Sequence, residues 1–443
     1  MKRQTNRRTF IKTTALAGTG FWVAGNAESA SAAKRVSANE KLNLAFIGAG
    51  GRGGSHVNAA LEANENIVAL CDVDDERAKG SYEKCPSATK YKDFRKMLDK
   101  EHKNIDAVFV ATPDHVHAFA ALAAMRLGKH CYCEKPLTRL VREARAMTEA
   151  AEKYKVVTQM GNQGHSNRGA RKGVEQIWAG AIGQVREAHA WTNRPVWPQP
   201  LLRPTDTPPI PSTLDWDLWL GPAPKRPYHP AYAPFSWRAW WDFGTGALGD
   251  MACHVMDLIN WSLKLTHPTS AVASASEPPS AYPETGPKAS TITWEFPARG
   301  DMAPVKVSWH DGGRKPNPEL VGLKELPSNG SILVGDKGTM YVPHTYCDKT
   351  ILLPKEEFKD YKAERVLPRV KSHHQEFFDA CKGKGETLSN FAYAGPMTET
   401  ALVGVAALRS GKRVEWDWKN MKVTNHSEIN EIVHPEYRKG WTL

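Results

Sequence analysis

No Cys/His pairing in this 443-residue chain repeats at a metal-finger spacing, no compact Lys/Arg block appears, and there is no internal repeat or extended low-complexity tract. These absences argue against a zinc module and against nucleic acid as a partner, although the net charge is +11. Cysteine is sparse: seven residues, an odd number without regular spacing, which excludes a disulfide framework. Cys71 and Cys131 fall in apolar strand-like runs where a thiol serves as a small hydrophobe, and Cys131 and Cys133 lack a second close pair to complete a metal set. No metal is expected. The only apolar run near the start, residues 13–25, is too short to span a bilayer, and no later segment is longer. What the chain has in excess is tryptophan: 15, against 12 Tyr and 13 Phe, with ten between Trp191 and Trp309. That concentration marks the chemically unusual region.

Arg7 and Arg8, the apolar run after them and the small residues at Ala30 to Ala32 have the layout of an export signal over residues 1–32. The paired arginines resemble the twin-arginine type, which carries folded proteins through dedicated export machinery. The plainer alternative is a basic N-terminus. The signal implies a periplasmic or otherwise exported protein, with an uncleaved leader as a possible membrane anchor. An exported enzyme with a nucleotide cofactor would leave the cell already loaded, so tight retention is expected.

Residues 40–165 have the order of a dinucleotide-binding unit. The apolar run KLNLAFI leads into Gly48, Gly50, Gly51, Arg52 and Gly53, then into a helical stretch and a second strand ending at Asp72. Glycines at 48, 50 and 53 permit a tight turn, close approach of a pyrophosphate and close helix packing. Asp72 lies 19 residues beyond Gly53, where a carboxylate accepts from ribose hydroxyls and repels a 2′-phosphate. NAD is therefore favoured over NADP, with Arg52 the reason for caution. The strand IDAVFVAT is apolar throughout, as in a parallel sheet covered on both faces. It brings Thr112 and Pro113 to the nicotinamide ribose, with His115 or His117 capping the next helix, packing, or touching a ligand. The strand HCYCEKPL ends at Glu134 and Lys135 before Pro136, which holds the preceding backbone extended. A lysine at such a strand end suits stabilisation of a developing alkoxide, although surface charge is the usual role of a lone lysine there.

Residues 166–388 read as an α+β unit with a mostly antiparallel open sheet, from strands such as Val185 to Trp191, ASTITWEFPA and PVKVSWHDG. The proline- and tryptophan-rich stretch 195–239 suits either an aromatic rim for sugar rings or a hydrophobic flap at a subunit contact. Asp250 and His254 stand four apart, on one face of a helix, so that the carboxylate could orient the imidazole for proton abstraction. Capping and core packing are the competing roles, and Asp257 is expected to support His254. His310 and Asp311 end a strand and either face a ligand or are ordinary sheet polarity. Residues 389–443 read as a helix interrupted near Gly395-Pro396, plus a tail, packing between the domains.

The segments GAGGRGG, ATPDHVHA, CEKPL and GDMACHVMD, in that order, resemble the glucose-fructose oxidoreductase, inositol dehydrogenase and rhizopine-catabolism family. The resemblance implies an α/β Rossmann domain with a C-terminal α+β domain, Glu134-Lys135-Pro136 as the family's EKP signature, and Asp250 and His254 in the substrate site. It further implies a carbohydrate substrate, with Lys135, Asp250 and His254 catalytic and Lys135 the alternative proton acceptor. A homodimer or homotetramer is expected. A redox-neutral NAD-dependent glycoside hydrolase or lyase, working through a keto-sugar, is the alternative to simple dehydrogenation.

Overall fold

The computed structural model describes residues 40–443, and the expected export leader lies outside them. The first sheet comprises β1 (Asn43–Ile47), β2 (Asn66–Cys71), β3 (Thr89–Tyr91), β4 (Ala107–Val110), β5 (His130–Cys133) and β6 (Thr158–Met160). All pairings are parallel and the order is β3-β2-β1-β4-β5-β6. The four residues of β4, Ala107 to Val110, are all buried, because helices cover both faces of the sheet. The strand order reverses beside β1 and β4, so the crevice at their carboxyl ends is where this architecture binds ligands.

The second sheet comprises β7 (Val185–Trp191), β8 (Ser270–Ala275), β9 (Ser290–Phe296), β10 (Val305–His310), β11 (Gly330–Gly335), β12 (Thr339–Val342), β13 (Ile351–Leu353), β14 (Val414–Asp417) and β15 (Lys422–Val423). Its order is β13-β12-β11-β7-β10-β9-β8-β14-β15, antiparallel except for β7 against β10. Strand β9 shows the period-two pattern of a sheet with one packed face: Ser290, Ile292, Trp294 and Phe296 are buried, and the residues between them are partly open. Against that face lies the helix Phe391–Ser410. A side chain at Gly404 would meet the Trp294 ring at 2.3 Å, so glycine there lets helix and sheet touch.

The same helix packs on Val141–Tyr154 of the first domain and Gly246–Val255 of the second, and so ties the two together. It runs unbroken through Pro396, contrary to the expected interruption. Pro396 lies in the second turn, where the missing N–H leaves one carbonyl of the first turn without its helical partner and the hydrogen bonding continues beyond it. A second difference concerns domain boundaries. The helix His373–Cys381, expected in the second unit, returns to the first, where Phe377 and Phe378 are buried beside Phe109 and Tyr132.

One buried ion pair anchors that return. Arg171 Nη2 donates to both Glu376 oxygens at 2.8 and 2.7 Å, and Ser166 Oγ donates to Oε2 at 2.6 Å. Truncating one partner of such a pair leaves an uncompensated charge and costs about 3–5 kcal/mol. Arg171→Ala is therefore expected to lower the thermal midpoint by several degrees, and an unchanged midpoint would contradict the assigned role.

Candidate active site

The carboxyl ends of the parallel strands and the second domain enclose a cleft of about 540 Å³. Its floor is the turn after β1. Gly48 has φ +83°, and a side chain there would meet Ala111 O at 2.6 Å. A Cβ on Gly53 would fall 1.7 Å from Gly48 O, so Gly53 serves the packing of the helix Arg52–Glu62 against the turn. Among the described residues no side chain caps this helix, which leaves N–H groups for an anion. Asp72 accepts from Gly50 N at 2.8 Å and Asp74 N at 3.0 Å, and lines the cleft one strand over. Burial raises its pKa, with both N–H groups opposing. Donor-rich turn, close-approach glycines and strand-end carboxylate fit the pyrophosphate and ribose of NAD.

Glu134 and Lys135 diverge from the end of β5. Glu134 Oε1 accepts from Arg52 Nε at 2.9 Å and lies 3.0 Å from His56 Nε2. Burial works to raise its pKa, but His56 and Arg52 outweigh it and hold the carboxyl well below the usual range. Arg52 is thereby tied to Glu134, which reduces its availability for a 2′-phosphate. Lys135 Nζ points the other way and donates to Asp250 Oδ1 and to the Asp250 backbone oxygen, each at 2.8 Å.

Asp250 and His254 share the helix Gly246–Val255, which ends before a second helix, Asp257–Ser262. Among the described residues Asp250 accepts no hydrogen bond from His254, contrary to the expected orienting contact. The carboxylate is engaged by Lys135, Arg238 and Arg194, whose side chains reach it from other segments. Burial opposes ionisation of Asp250, but the charges of Lys135 and Arg238 prevail and lower it to about 2. His254 lines the cleft with Nδ1 unpartnered within the described chain; burial, aided by Lys135, lowers its pKa to about 3. The imidazole is therefore held in its neutral form, with a lone pair free to accept a proton, but as a weaker base than a solvated histidine.

Thr112 and Pro113 line the cleft, whereas His117 does not. Its buried ring lies between Thr112 O at 2.8 Å and Pro136 O at 2.9 Å, and the neutral imidazole donates to one of the two. His115 is buried against Trp219 O. Asp257 does not support His254: it accepts from Asn162, His165 and Tyr393 in a separate buried network. Asp311 is buried and accepts from Ser290 and Trp309, a structural role. Most of the tryptophan-rich stretch is packed inward, with Trp216, Trp219, Tyr232 and Trp240 in one cluster; Trp197, Trp219 and Trp237 still contribute to the cleft wall. Arg194, Arg238 and Tyr346 also line the cleft and had no motif to reveal them.

Two family models match the chain: "Oxidoreductase family, NAD-binding Rossmann fold" over residues 42–162 and "Oxidoreductase family, C-terminal alpha/beta domain" over 191–294. The chain belongs to the Gfo/Idh/MocA oxidoreductase family. Among curated relatives, levoglucosan dehydrogenase of Pseudarthrobacter phenanthrenivorans is 27% identical over 50% of this chain and 51% of its own length. A glycosyl hydrolase family 109 protein of Saccharopolyspora erythraea is 30% identical over 41% and 44%. Myo-inositol 2-dehydrogenase of Thermotoga maritima is 29% identical over 36% and 47%. The matches thus span about half the length of these relatives or less. Among solved structures, the WlbA dehydrogenase from Bordetella pertussis, in complex with NADH and UDP-GlcNAcA, superposes with TM-score 0.60 at 16% identity, covering 85% of this chain and 99% of that one. Levoglucosan dehydrogenase in complex with NADH and levoglucosan gives 0.58 at 20%, covering 85% and 99%. These likenesses show a common fold.

Asp114, beside this site, is fully buried, and Oδ2 accepts from Thr245 Oγ1 at 2.9 Å. Burial raises its pKa to about 7 against the charge of Arg238. The folded state therefore keeps a proton that the unfolded chain releases near pH 4, so this stabilisation is complete below about pH 4 and lost as pH rises through about 7. Thermal melts across that window should show the wild type losing ground to Asp114→Asn. A pH-independent difference would count against the protonated carboxyl.

Proposed function

We propose that this protein is an NAD-dependent oxidoreductase acting on a hydroxyl of a sugar, polyol or glycoside. The observation that carries the reading is the meeting of Lys135, held by Asp250, with a neutral His254 in the cleft that also contains the glycine turn and Asp72. Bound NAD would supply the acceptor for the hydride leaving the carbinol carbon. His254 accepts the hydroxyl proton, and the Lys135 ammonium stabilises negative charge on that oxygen. Lys135 is the alternative proton acceptor, but its pairing with Asp250 outweighs burial and raises its pKa, which favours the ammonium form. Asp72 disfavours a 2′-phosphate, hence NAD rather than NADP. We assign to the same reading tight cofactor retention, export of the folded protein by the twin-arginine route, and a homodimer or homotetramer.

The similarity to the family 109 glycosyl hydrolase supports a second reading, redox-neutral cleavage of a glycoside through a keto-sugar with the hydride returned at the end. A product balance separates the two. One NADH per product, measured by absorbance with excess NAD, favours net dehydrogenation; many turnovers without net NADH favour the redox-neutral cycle. In either case His254→Ala and Lys135→Met should each lower kcat by about 100-fold or more, with NADH affinity within a few-fold of wild type. Turnover that survives both substitutions would rule out the assigned chemistry.

A further inference from the structure

Three cations face one carboxylate in the cleft. Asp250 is approached by Lys135 Nζ at 2.8 Å, Arg238 Nε at 3.3 Å and Arg194 Nε at 3.8 Å. Among the described residues none of the three has another carboxylate within ion-pair distance. Other shielded cations pair one to one, Arg171 with Glu376, Arg145 with Glu399, Arg369 with Glu175 and Lys382 with Glu65, or, like buried Arg139, donate to a backbone carbonyl. In the cleft three cations converge on a single carboxylate. Neither neighbour corrects the imbalance, because His254 is neutral and the Asp114 carboxyl, raised to about 7 by burial, is largely protonated below that pH.

Both guanidinium groups are held in place. Arg238 lies over the rings of Trp237 and Phe235, at 4.2 and 4.8 Å, and its Nη1 donates to Phe235 O at 3.1 Å. Arg194 Nη1 donates to Asn193 Oδ1 at 2.7 Å. In each, Nη2 makes no hydrogen bond among the described residues, although the side chains are only 24% and 28% exposed. Arginine stays charged and offers donors alone, so two such groups in a partly desolvated cleft call for an anion. A neutral hydroxyl leaves their charge uncompensated, whereas a carboxylate accepts a charge-assisted hydrogen bond from the free Nη2 of each.

We infer that the substrate is a sugar acid, uronic or aldonic, whose carboxylate is received by Arg194 and Arg238 while the reacting hydroxyl faces Lys135 and His254. This rests on the sugar-oxidoreductase reading. It names Arg194 and Arg238 as specificity-determining residues.

The test uses NAD-loaded protein and matched pairs, glucose with glucuronate or gluconate and galactose with galacturonate, plus a hexose phosphate, followed by calorimetric binding and by product formation. The acid member should bind at least about tenfold more tightly at low salt, with the gap narrowing as salt rises. Arg194→Gln and Arg238→Gln should each weaken acid binding by about 10- to 100-fold, as expected for one charge-assisted hydrogen bond. Arg194 has no ring partner, so its variant decides if Arg238→Gln fails to fold. Equal binding of acid and neutral members, or an acid preference unmoved in Arg194→Gln, overturns the inference and leaves the oxidoreductase reading standing. A preference for the hexose phosphate overturns the carboxylate assignment. Acid binding without turnover of any kind supports the carboxylate site and removes the oxidoreductase reading; no sugar binding of either charge removes both.

Discussion

The contact between Lys135 and Asp250 is the constraint around which the cleft is arranged. Lys135 comes from the end of a strand buried on both faces, and Asp250 from a helix of the other domain, so the bond closes the domain interface where the chemistry is placed. Two buried ions normally carry a large desolvation cost that their mutual attraction offsets only with good geometry and further partners. Here Lys135 gains a second acceptor in the Asp250 backbone oxygen, and Asp250 gains two guanidinium groups. The pair also sets the state of its neighbours: the Lys135 charge reinforces burial in keeping His254 neutral.

The alternation of an extended backbone extends this control to the cofactor side. Glu134, one residue before Lys135, reaches Arg52 and His56 on the helix that follows the glycine turn. Two successive residues thus join the nucleotide turn and the substrate domain to the same strand end. His117 packs at the junction between the carbonyl oxygens of Thr112 and Pro136 and donates to one of them.

The tryptophan-rich stretch works mainly as support. Trp216 and Trp219 stack at 4.7 Å, Phe243 packs edge to face on Trp219, and Tyr232 lies parallel to Trp216 and edge to face with Trp240 and Phe243, forming a small core of their own. Its buried rings stabilise a long segment that has little regular structure. Trp237, at the margin of this core, provides a face on which the Arg238 guanidinium rests.

The amino-acid sequence by itself determined the nucleotide-binding architecture, because strand, glycine turn, helix and acidic strand end are local features whose order leaves few alternatives. It also singled out Lys135, Asp250 and His254 as candidates, each marked by a neighbour in the chain, Pro136 after the lysine and helical spacing for the other two, and the structure brings all three to one cleft. Strand β8 was harder to read, since Ser270–Ala275 is built of small residues without a strong alternating pattern. Only the tertiary structure decided that Asp250 bonds Lys135 rather than His254, that the helix His373–Cys381 returns to the first domain, and that His117 donates to the backbone. It alone brought Arg194 and Arg238 to one carboxylate. The reason is physical: helical spacing places two side chains on a common face, but which partner each takes depends on groups from other elements, Lys135 among them at 115 residues' distance, whose approach no local pattern records.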